Sequence, residues 1–310
     1  MPDEKDIVSG ARKKGFRKVL IQVPEGLKAK GQKLADAMEK AGISAIICAD
    51  PCFGACDIRD REALSLGCDG LVHLGHSDFG LASCVPVLYC ELQENFNPVS
   101  VLQKNIFMLE PFRKVALSAT LQYLPALGRA AEFLKTLGKE ALIGRPEKAG
   151  HPGQILGCDY SGPLSLEKSA DCFIIISGGM FHPLGLAAKT RRSVFVLDPE
   201  TRTLKDITAE ARKKMTARAS KAEWAKGMEK FIILAGTKRG QLNIAAADAV
   251  KKRLEGLGKS AWIVSADLFT PSALMGLKCD CLVNCACPRL SDDSEMFGKI
   301  ILDAEDVLGW

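Results

Sequence analysis

The stretch that decides the fold is KVLIQVPEG, which spans residues 18–26. It is an apolar run rich in β-branched residues that stops at a proline, which is typical of a buried strand. After it, Leu27, Leu34 and Met38 follow at helical spacing, and a second apolar run, ISAIIC, occupies residues 43–48. A strand, a helix and a second strand in this order predict two parallel strands joined by a right-handed crossover.

The same pattern occurs twice more along the chain. The second copy begins with KVALSAT at residues 114–120, continues with a helical pattern of apolar residues and ends with ALIG at 141–144. The third copy begins with KFIILAG at residues 230–236 and ends with AWIVSA at 261–266. Each copy also has a later apolar run: GLVHLG (70–75), CFIIISGG (172–179) and CLVNCAC (281–287).

These three repeats favour three small domains over one large sheet. The sequence therefore predicts an α/β protein with three similar parallel-sheet, Rossmann-like domains, at residues 1–102, 103–206 and 207–310. The polar stretch that begins at Asp206, DITAEARKKMTARASKAEWAKGMEK, is helix-prone. We expect it to bridge into the third domain.

Composition indicates an ordinary globular protein. Of the 310 residues, 47% are hydrophobic and 25% are charged, and the net charge is +5. A charge this mild does not indicate direct binding to nucleic acid. The N-terminal residues show no apolar leader and no segment is long enough to span a membrane, so we expect a cytoplasmic protein without membrane contact. The 12 cysteines are then expected to be core thiols or metal ligands rather than disulfides.

Nucleotide-binding signatures are mostly missing from the sequence. No G-x-G-x-x-G follows a predicted strand. The segment GLGKSA (256–261) lies where a helix leads into a strand, which is the wrong order for a phosphate-binding loop. In SGGMFHPLG (177–185), Gly178 and Gly179 follow a parallel strand, at the edge where open α/β sheets bind ligands. A tight turn accounts for these glycines equally well.

The segment CDCLVNCAC, residues 279–287, resembles a four-cysteine zinc site at first sight. In a strand, however, its outer cysteines would be about 26 Å apart at roughly 3.3 Å per residue. Zinc binds sulfur at about 2.3 Å, so one ion cannot hold all four. We therefore expect Cys279 and Cys281 to be core thiols, whereas Cys287 lies at the end of the run, before Pro288.

One cysteine in each predicted domain lies in a loop beyond an apolar run: Cys56, Cys158 and Cys287. Three such thiols could meet at a pseudo-threefold axis and hold three irons of a [4Fe–4S] cluster, which would leave the fourth iron open. The alternative is that the three positions are unrelated, since the chain has many cysteines.

Seven motifs in order along the chain resemble those of the archaeal diphthamide-synthesis family, the 2-(3-amino-3-carboxypropyl)histidine synthases. They are IQVPEGL, FGACDIRDREAL, HLGHS, PGQILGCDYS, SGGMFHPLGLA, KRGQLNIA and ACPRL. The resemblance extends from about Lys18 to Arg289. It implies a [4Fe–4S] cluster on Cys56, Cys158 and Cys287, and it places Cys52 outside the ligand pattern as a spare thiol.

The resemblance also implies a reaction. The family uses S-adenosylmethionine in noncanonical radical chemistry: the bond to the methionine γ-carbon breaks, and a 3-amino-3-carboxypropyl group is added to a histidine of translation elongation factor 2. The resemblance thus implies that elongation factor 2 is the protein substrate and that an external electron donor is needed. It also implies a homodimer, as in the archaeal members. No catalytic base is obvious in the sequence.

Six residues are predicted to contact S-adenosylmethionine. Arg289 could pair with the methionine carboxylate, although a surface ion pair is as plausible a role for it. Gln241 could meet the amino group or a ribose hydroxyl, or simply cap a helix. The other predicted contacts are Gly178, Gly179, His182 and Glu25. His73 and His76 could touch ligand or substrate, and structural roles are equally plausible for them.

Two other functions remain open from the sequence. A quinolinate synthase also builds three α/β domains around a three-cysteine cluster, and it uses the open iron as a Lewis acid. A non-catalytic scaffold that binds the elongation factor is the second alternative.

Overall fold

The computed structural model describes residues 3–310. Its strands form three separate sheets of four, four and five strands. The predicted α/β class with three parallel-sheet domains is therefore confirmed. Within the described residues, no helix is long and apolar enough to cross a membrane.

The first sheet is built around the KVLIQ run. Its strands are β1 (Lys18–Gln22), β2 (Ser44–Ile47), β3 (Gly70–Leu74) and β4 (Val87–Cys90). They are parallel in the order β2-β1-β3-β4. On one face, helices α1 (Glu4–Lys13) and α2 (Lys28–Lys40) bury Ile21. On the other, α3 (Asp60–Ser65) buries Leu20. Because both faces are covered, the strands are continuous apolar runs.

The second sheet has five strands in the order β6-β5-β7-β8-β9. They are β5 (Lys114–Ala119), β6 (Glu140–Leu142), β7 (Cys172–Ile176), β8 (Ser193–Asp198) and β9 (Thr203–Asp206). The helices of this part are α4 (Val99–Lys104), α5 (Pro125–Thr136), α6 (Ser161–Leu164) and α7 (Phe181–Ala187). Strand β9 runs antiparallel to β8, because the connection between them is a tight turn rather than a crossover.

The third sheet is parallel throughout, in the order β11-β10-β12-β13. Its strands are β10 (Lys230–Gly236), β11 (Ser260–Ala266), β12 (Cys281–Asn284) and β13 (Ile300–Asp303). Its helices are α8 (Thr208–Ala225), α9 (Ile244–Gly256), α10 (Ser294–Phe297) and α11 (Ala304–Leu308). Helix α9 packs Val250 and Leu254 against Phe231 and Ile233 of the central strand.

All three sheets share one topology, in which the first strand pairs with the second on one side and with the third on the other. The repeated pattern in the sequence thus corresponds to a repeated structure. The fourth strands, β4, β8 and β13, were not assigned from the sequence, because the repeated pattern there ends at the third apolar run of each copy. Gly258 lies between α9 and β11, so the GLGKSA segment does lead from a helix into a strand.

We propose the division into three domains with one refinement. Leu102 lies inside α4 and packs with Leu109 and Val115 in the core of the second sheet, so the first boundary is better placed just before this helix. Helix α8 follows the second boundary and is the predicted bridge. Its Ala211 is buried in the second core and its Ala225 in the third.

The cysteines of the CDCLVNCAC segment are mainly core residues, as expected. Cys279, Cys281 and Cys285 are all buried. Cys281 and Cys285 pack in one core of the third sheet, but Cys279 packs in the other. Cys279 packs apart from the other two because strand β12 begins only at Cys281, so the strand alternation does not extend to it. Burial raises the pKa of the Cys281 thiol to about 12, so this thiol stays protonated at neutral pH.

Candidate functional site

The three loop cysteines come together although each belongs to a different sheet. Cys158 is the exposed member, yet its pKa is raised to about 11, first by the protein packed around its thiol and then by the charges of Cys56 and Cys287. Burial also raises the pKa of Cys287, and Cys56 contributes to that shift as well. Such mutual electrostatic effects require the three thiols to lie near one another.

The three thiols are nevertheless spaced more widely than the ligands of a single ion. Tetrahedral zinc with bonds of about 2.3 Å holds its sulfurs about 3.8 Å apart. Among residues 3–310, Cys52, His73 and His76 have ligand atoms that all lie within 4.8 Å of one another. The three loop cysteines do not meet this limit. The arrangement of the loop cysteines therefore suits a polynuclear centre better than a mononuclear one.

Aspartates hold two of the cysteine loops in place. Asp159 accepts hydrogen bonds from the backbone of Lys148 (2.7 Å) and Ala149 (3.1 Å), and these hydrogen bonds contribute to a pKa below its usual value despite partial burial. Asp57 instead forms an ion pair with Lys238 at 3.0 Å, and both side chains are almost fully buried. The aspartates that follow Cys56 and Cys158 thus have the same role with different partners.

The turn after β10, with the sequence KRGQ (238–241), lies directly on the Cys56 loop of the first domain. The backbone N–H of Gly240 donates to the carbonyl oxygen of Cys56 at 2.9 Å. The side-chain amide of Gln241 donates to the Cys56 Sγ at 3.5 Å. Arg239 forms an ion pair with Asp60 at 2.8 Å. Each residue of this turn therefore contacts the segment that begins at Cys56.

Asp267 completes the polar contact between the first and third domains. It accepts from Arg59 at 2.7 Å and from Lys238 at 3.1 Å. These two hydrogen bonds outweigh partial burial and lower the pKa of Asp267. Since removal of one partner from a buried ion pair typically costs 3–5 kcal/mol, about that much stability depends on Lys238 keeping its contact with Asp57.

A second group of predicted residues lies where the second and third domains meet. The guanidinium of Arg289 stacks over the Phe181 ring, 5.4 Å from its centroid. His182 packs beside Phe181, with ring centroids 5.2 Å apart. Burial and, to a smaller extent, the charge of Arg289 lower the pKa of His182 to about 4, so the imidazole is neutral at physiological pH.

The two glycines of the SGG segment end β7 and precede α7. Gly179 has φ +75°, which favours glycine, and a side chain on Gly178 would be 3.0 Å from Glu200 Oε1. Both therefore serve the local turn, and they leave the backbone open to a ligand. Glu25 lies at the corresponding edge of the first sheet, where it is exposed and pairs with Lys28 at 2.9 Å. Glu25 is thus paired with a residue that was not among those predicted to contact S-adenosylmethionine.

His73 and His76 form a separate buried group with Cys52. His73 Nε2 is 2.9 Å from His76 Nδ1, and His73 Nδ1 is 2.9 Å from Gln22 Oε1. Burial lowers the pKa of His73 to about 3 and that of His76 to about 4, and it raises the pKa of Cys52 to about 12. All three side chains are therefore uncharged at neutral pH without a bound ion.

Comparison with known proteins identifies the family. The family model described as "Putative diphthamide synthesis protein" matches residues 23–307. The chain belongs to this family. The resemblance found in the seven sequence motifs is therefore confirmed.

Among curated family members, the 2-(3-amino-3-carboxypropyl)histidine synthase of Pyrococcus horikoshii is 35% identical over 306 residues, which cover 97% of this chain and 88% of the relative. The synthase of Methanocaldococcus jannaschii is 28% identical over 93% of this chain and 83% of its own length. Subunit 1 of the human synthase is 28% identical, and the match covers 89% of this chain and 64% of the subunit.

A solved structure of this family superposes closely. The crystal structure of Dph2 from Pyrococcus horikoshii with a 4Fe-4S cluster has a TM-score of 0.93 and 33% identity, and the match covers 100% of this chain and 91% of that one. The family fold is thus shared over the entire length described here.

Four further residues shape the site but were not predicted from the sequence: Lys238, Gly240, Asp57 and Gly157. A Cβ atom on Gly157 would be 2.2 Å from the Phe181 ring, and one on Gly240 would be 2.5 Å from Cys56 Cβ. The motifs KRGQ, GACD and GQILGC contain all four. One sequence cannot, however, reveal which residue of another domain each of them meets.

We predict that Gly240→Ala lowers the free energy of unfolding by about 1–3 kcal/mol, because the added methyl overlaps the Cys56 backbone and forces the two domains apart. Gly128→Ala is the matched control, since this glycine is exposed inside α5 with no atom within 4 Å of an added Cβ. It should be neutral or raise stability by up to about 1 kcal/mol. Urea unfolding of both variants measures the difference, and equal stability of Gly240→Ala and the wild type would contradict the packing argument.

Proposed function

We propose that the chain transfers the 3-amino-3-carboxypropyl group of S-adenosylmethionine to a histidine of translation elongation factor 2, the first step of diphthamide biosynthesis. It is then a transferase, a 2-(3-amino-3-carboxypropyl)histidine synthase. The observation that carries the proposal is the convergence of Cys56, Cys158 and Cys287 from three different sheets. It occurs in a chain that belongs to the diphthamide family.

The donor set at this point suits an iron–sulfur cluster. Thiolates are the usual protein ligands of such clusters, and three of them leave one iron of a [4Fe–4S] cluster without a protein ligand. The spacing of the thiols, too wide for one ion, supports the same assignment. Their raised pKa values are no obstacle, because a coordinated thiol loses its proton to the strong local positive charge of the metal.

When bound and reduced, the cluster supplies the electron that breaks the bond between the sulfonium and the methionine γ-carbon. The protein must then place the γ-carbon, rather than the adenosyl carbon, at the open iron. It must also admit the histidine of the elongation factor. Cys158 is the exposed ligand of the three, so we propose that the protein substrate approaches from its side.

Four groups around the cysteines are proposed to hold S-adenosylmethionine. The Arg289 guanidinium, which lies over the Phe181 ring, is suited to pair with the methionine carboxylate through two parallel hydrogen bonds. The amide of Gln241, which already touches Cys56 Sγ, can turn to the methionine amino group. Neutral His182 can exchange a hydrogen bond with the nucleoside, and Gly178 and Gly179 allow the nucleoside to approach the backbone.

Glu25 is proposed as the contact from the first domain. It would accept a hydrogen bond from a ribose hydroxyl or the amino group after leaving its ion pair with Lys28. That pair is exposed and therefore worth little.

Three further elements of the proposal concern partners. The cluster must be reduced before it can donate an electron to S-adenosylmethionine, so an external donor is proposed to prime it; the electron is recovered when the modified histidine radical loses one electron and one proton. The active form is proposed to be a homodimer, as the family resemblance implies, and its location is the cytoplasm, where the elongation factor works. A dehydratase of the quinolinate-synthase type has no support among the relatives described above. A pure scaffold does not account for three thiols kept together at one point.

The experiment that tests the reaction is anaerobic reconstitution with iron and sulfide, followed by dithionite, S-adenosylmethionine and elongation factor 2. Mass spectrometry should find methylthioadenosine and a modified histidine on the factor. Alanine at Cys56, Cys158 or Cys287 should reduce both products by at least about 100-fold, because each substitution removes a cluster ligand.

Cys90→Ala is the matched control, since Cys90 is a buried thiol whose raised pKa of about 12 reflects burial alone. It should retain both products. Deoxyadenosine in place of methylthioadenosine, or no cleavage by protein with an intact cluster, would contradict the proposed function.

We further predict that Arg289→Lys weakens S-adenosylmethionine binding by about tenfold, because lysine cannot reproduce the forked contact with a carboxylate. Arg113→Lys is the control, as Arg113 is exposed just before β5, at the opposite edge of its sheet. Isothermal titration of the oxidised, cluster-loaded protein measures both affinities. Equal affinities would remove Arg289 from the pocket.

A further inference from the structure

A second cluster of metal-binding side chains lies in the first domain, outside the proposed cluster ligands. Cys52 is in the loop after β2, and His73 and His76 lie at the carboxyl end of β3. Strand β1 separates β2 from β3, so the loop with Cys52 must cross the end of β1 to reach the histidines. Even so, the ligand atoms of all three residues lie within 4.8 Å of one another.

This trio is enclosed by protein but has one open side. Cys52 has 4% of its surface exposed and His73 has none, whereas His76 is only partly buried. Buried nitrogen and sulfur donors that point at a common centre are uncommon unless they serve a purpose. None of the three is used by the proposed reaction.

The hydrogen bonds of Gln22 fix the direction of the His73 lone pair. The side-chain amide of Gln22 donates to the Asp57 carbonyl at 2.6 Å, and its oxygen accepts from the Arg59 N–H at 3.1 Å. That orientation leaves Gln22 Oε1 as the acceptor for His73 Nδ1, so Nδ1 carries the proton. The other ring nitrogen, Nε2, then directs a lone pair toward His76.

We propose that Cys52 Sγ, His73 Nε2 and His76 Nδ1 together bind one Zn²⁺ ion, with a fourth position open to water on the His76 side. One thiolate and two imidazoles are a ligand set that zinc favours over magnesium or calcium. The backing of His73 by Gln22 matches the way in which a metal-bound histidine is usually oriented through its second nitrogen.

The distances agree with tetrahedral coordination after small side-chain rotations. Zinc bonds of about 2.0–2.1 Å to nitrogen imply about 3.4 Å between two nitrogen ligands. His73 Nε2 and His76 Nδ1 are 2.9 Å apart, where they share a hydrogen bond. An ion would replace that hydrogen bond, and His76 would keep its proton on Nε2 instead.

The ion would act as a brace for the Cys56 loop. Cys52 and Cys56 belong to the same loop, and Gln22 contacts both His73 and the backbone of Asp57 next to Cys56. A metal that ties Cys52 to β3 would therefore hold the loop in position before any iron is present. This inference does not depend on the proposed reaction.

The test uses the full chain and zinc itself as the probe. After expression with zinc and dialysis against a weak chelator, elemental analysis should find about one zinc per wild-type chain. Cys52→Ser should lose it. Cys68→Ser is the matched control and should keep it, because Cys68 is equally buried, at 4%, in the same domain.

A second measurement separates this site from the three loop cysteines. In a variant with alanine at Cys56, Cys158 and Cys287, Co²⁺ should still give a cobalt–thiolate absorption band, and the further change Cys52→Ser should remove the band. His76→Gln, at the partly exposed ligand, should weaken Co²⁺ binding by at least about tenfold while circular dichroism confirms a folded chain.

Three results would overturn the zinc site. They are no zinc or cobalt bound above background by folded wild-type protein, metal binding that survives Cys52→Ser, and a cobalt band that disappears with the three loop cysteines alone. None of these results bears on S-adenosylmethionine cleavage, so failure of this site and failure of the proposed function are distinguishable.

Discussion

The contact between the Gly240 backbone and the Cys56 backbone is the constraint on which the rest of the site depends. It lets a turn of the third domain lie on a loop of the first with no side chain between them. The ion pair of Lys238 with Asp57 and the hydrogen bond of Gln241 to the Cys56 thiol exist only because of that approach. Since proteins pack too densely to absorb an extra methyl at such a point, the position of the first cysteine relative to the third domain is fixed there.

The second domain joins this pair through fewer and different contacts. Gln154 donates a hydrogen bond to Ser77 of the first domain at 2.9 Å, and Arg289 of the third stacks on Phe181 of the second. Three domains of one topology thus bring loop cysteines close together, although each joint is made by different residues. Repetition of the fold accounts for the equivalent positions of the loops. The individual joints determine how close the thiols come, and with that which kind of metal centre they can hold.

Much of this architecture was predictable from the sequence, because it depends on local patterns. The apolar runs at β1, β5 and β10, each followed by a helical pattern, indicated three parallel sheets. The three loop cysteines and Arg289 could be selected because each follows an apolar run or a recognisable motif. Pairings between domains could not be predicted, since nothing near Lys238 in the sequence points to Asp57. The fourth strands were not predicted, because the repeated pattern ends at the third apolar run of each copy. The trio of Cys52, His73 and His76 escaped notice because its members come together only across an intervening strand.

The central claim is that three cysteines ligate a four-iron cluster and leave one iron free for S-adenosylmethionine. Mössbauer spectroscopy of protein reconstituted with ⁵⁷Fe tests it most directly, because it counts the iron sites. The account predicts that S-adenosylmethionine changes the signal of one iron in four and leaves the other three unchanged. A spectrum that does not respond to S-adenosylmethionine, or that changes equally at all four irons, would contradict it.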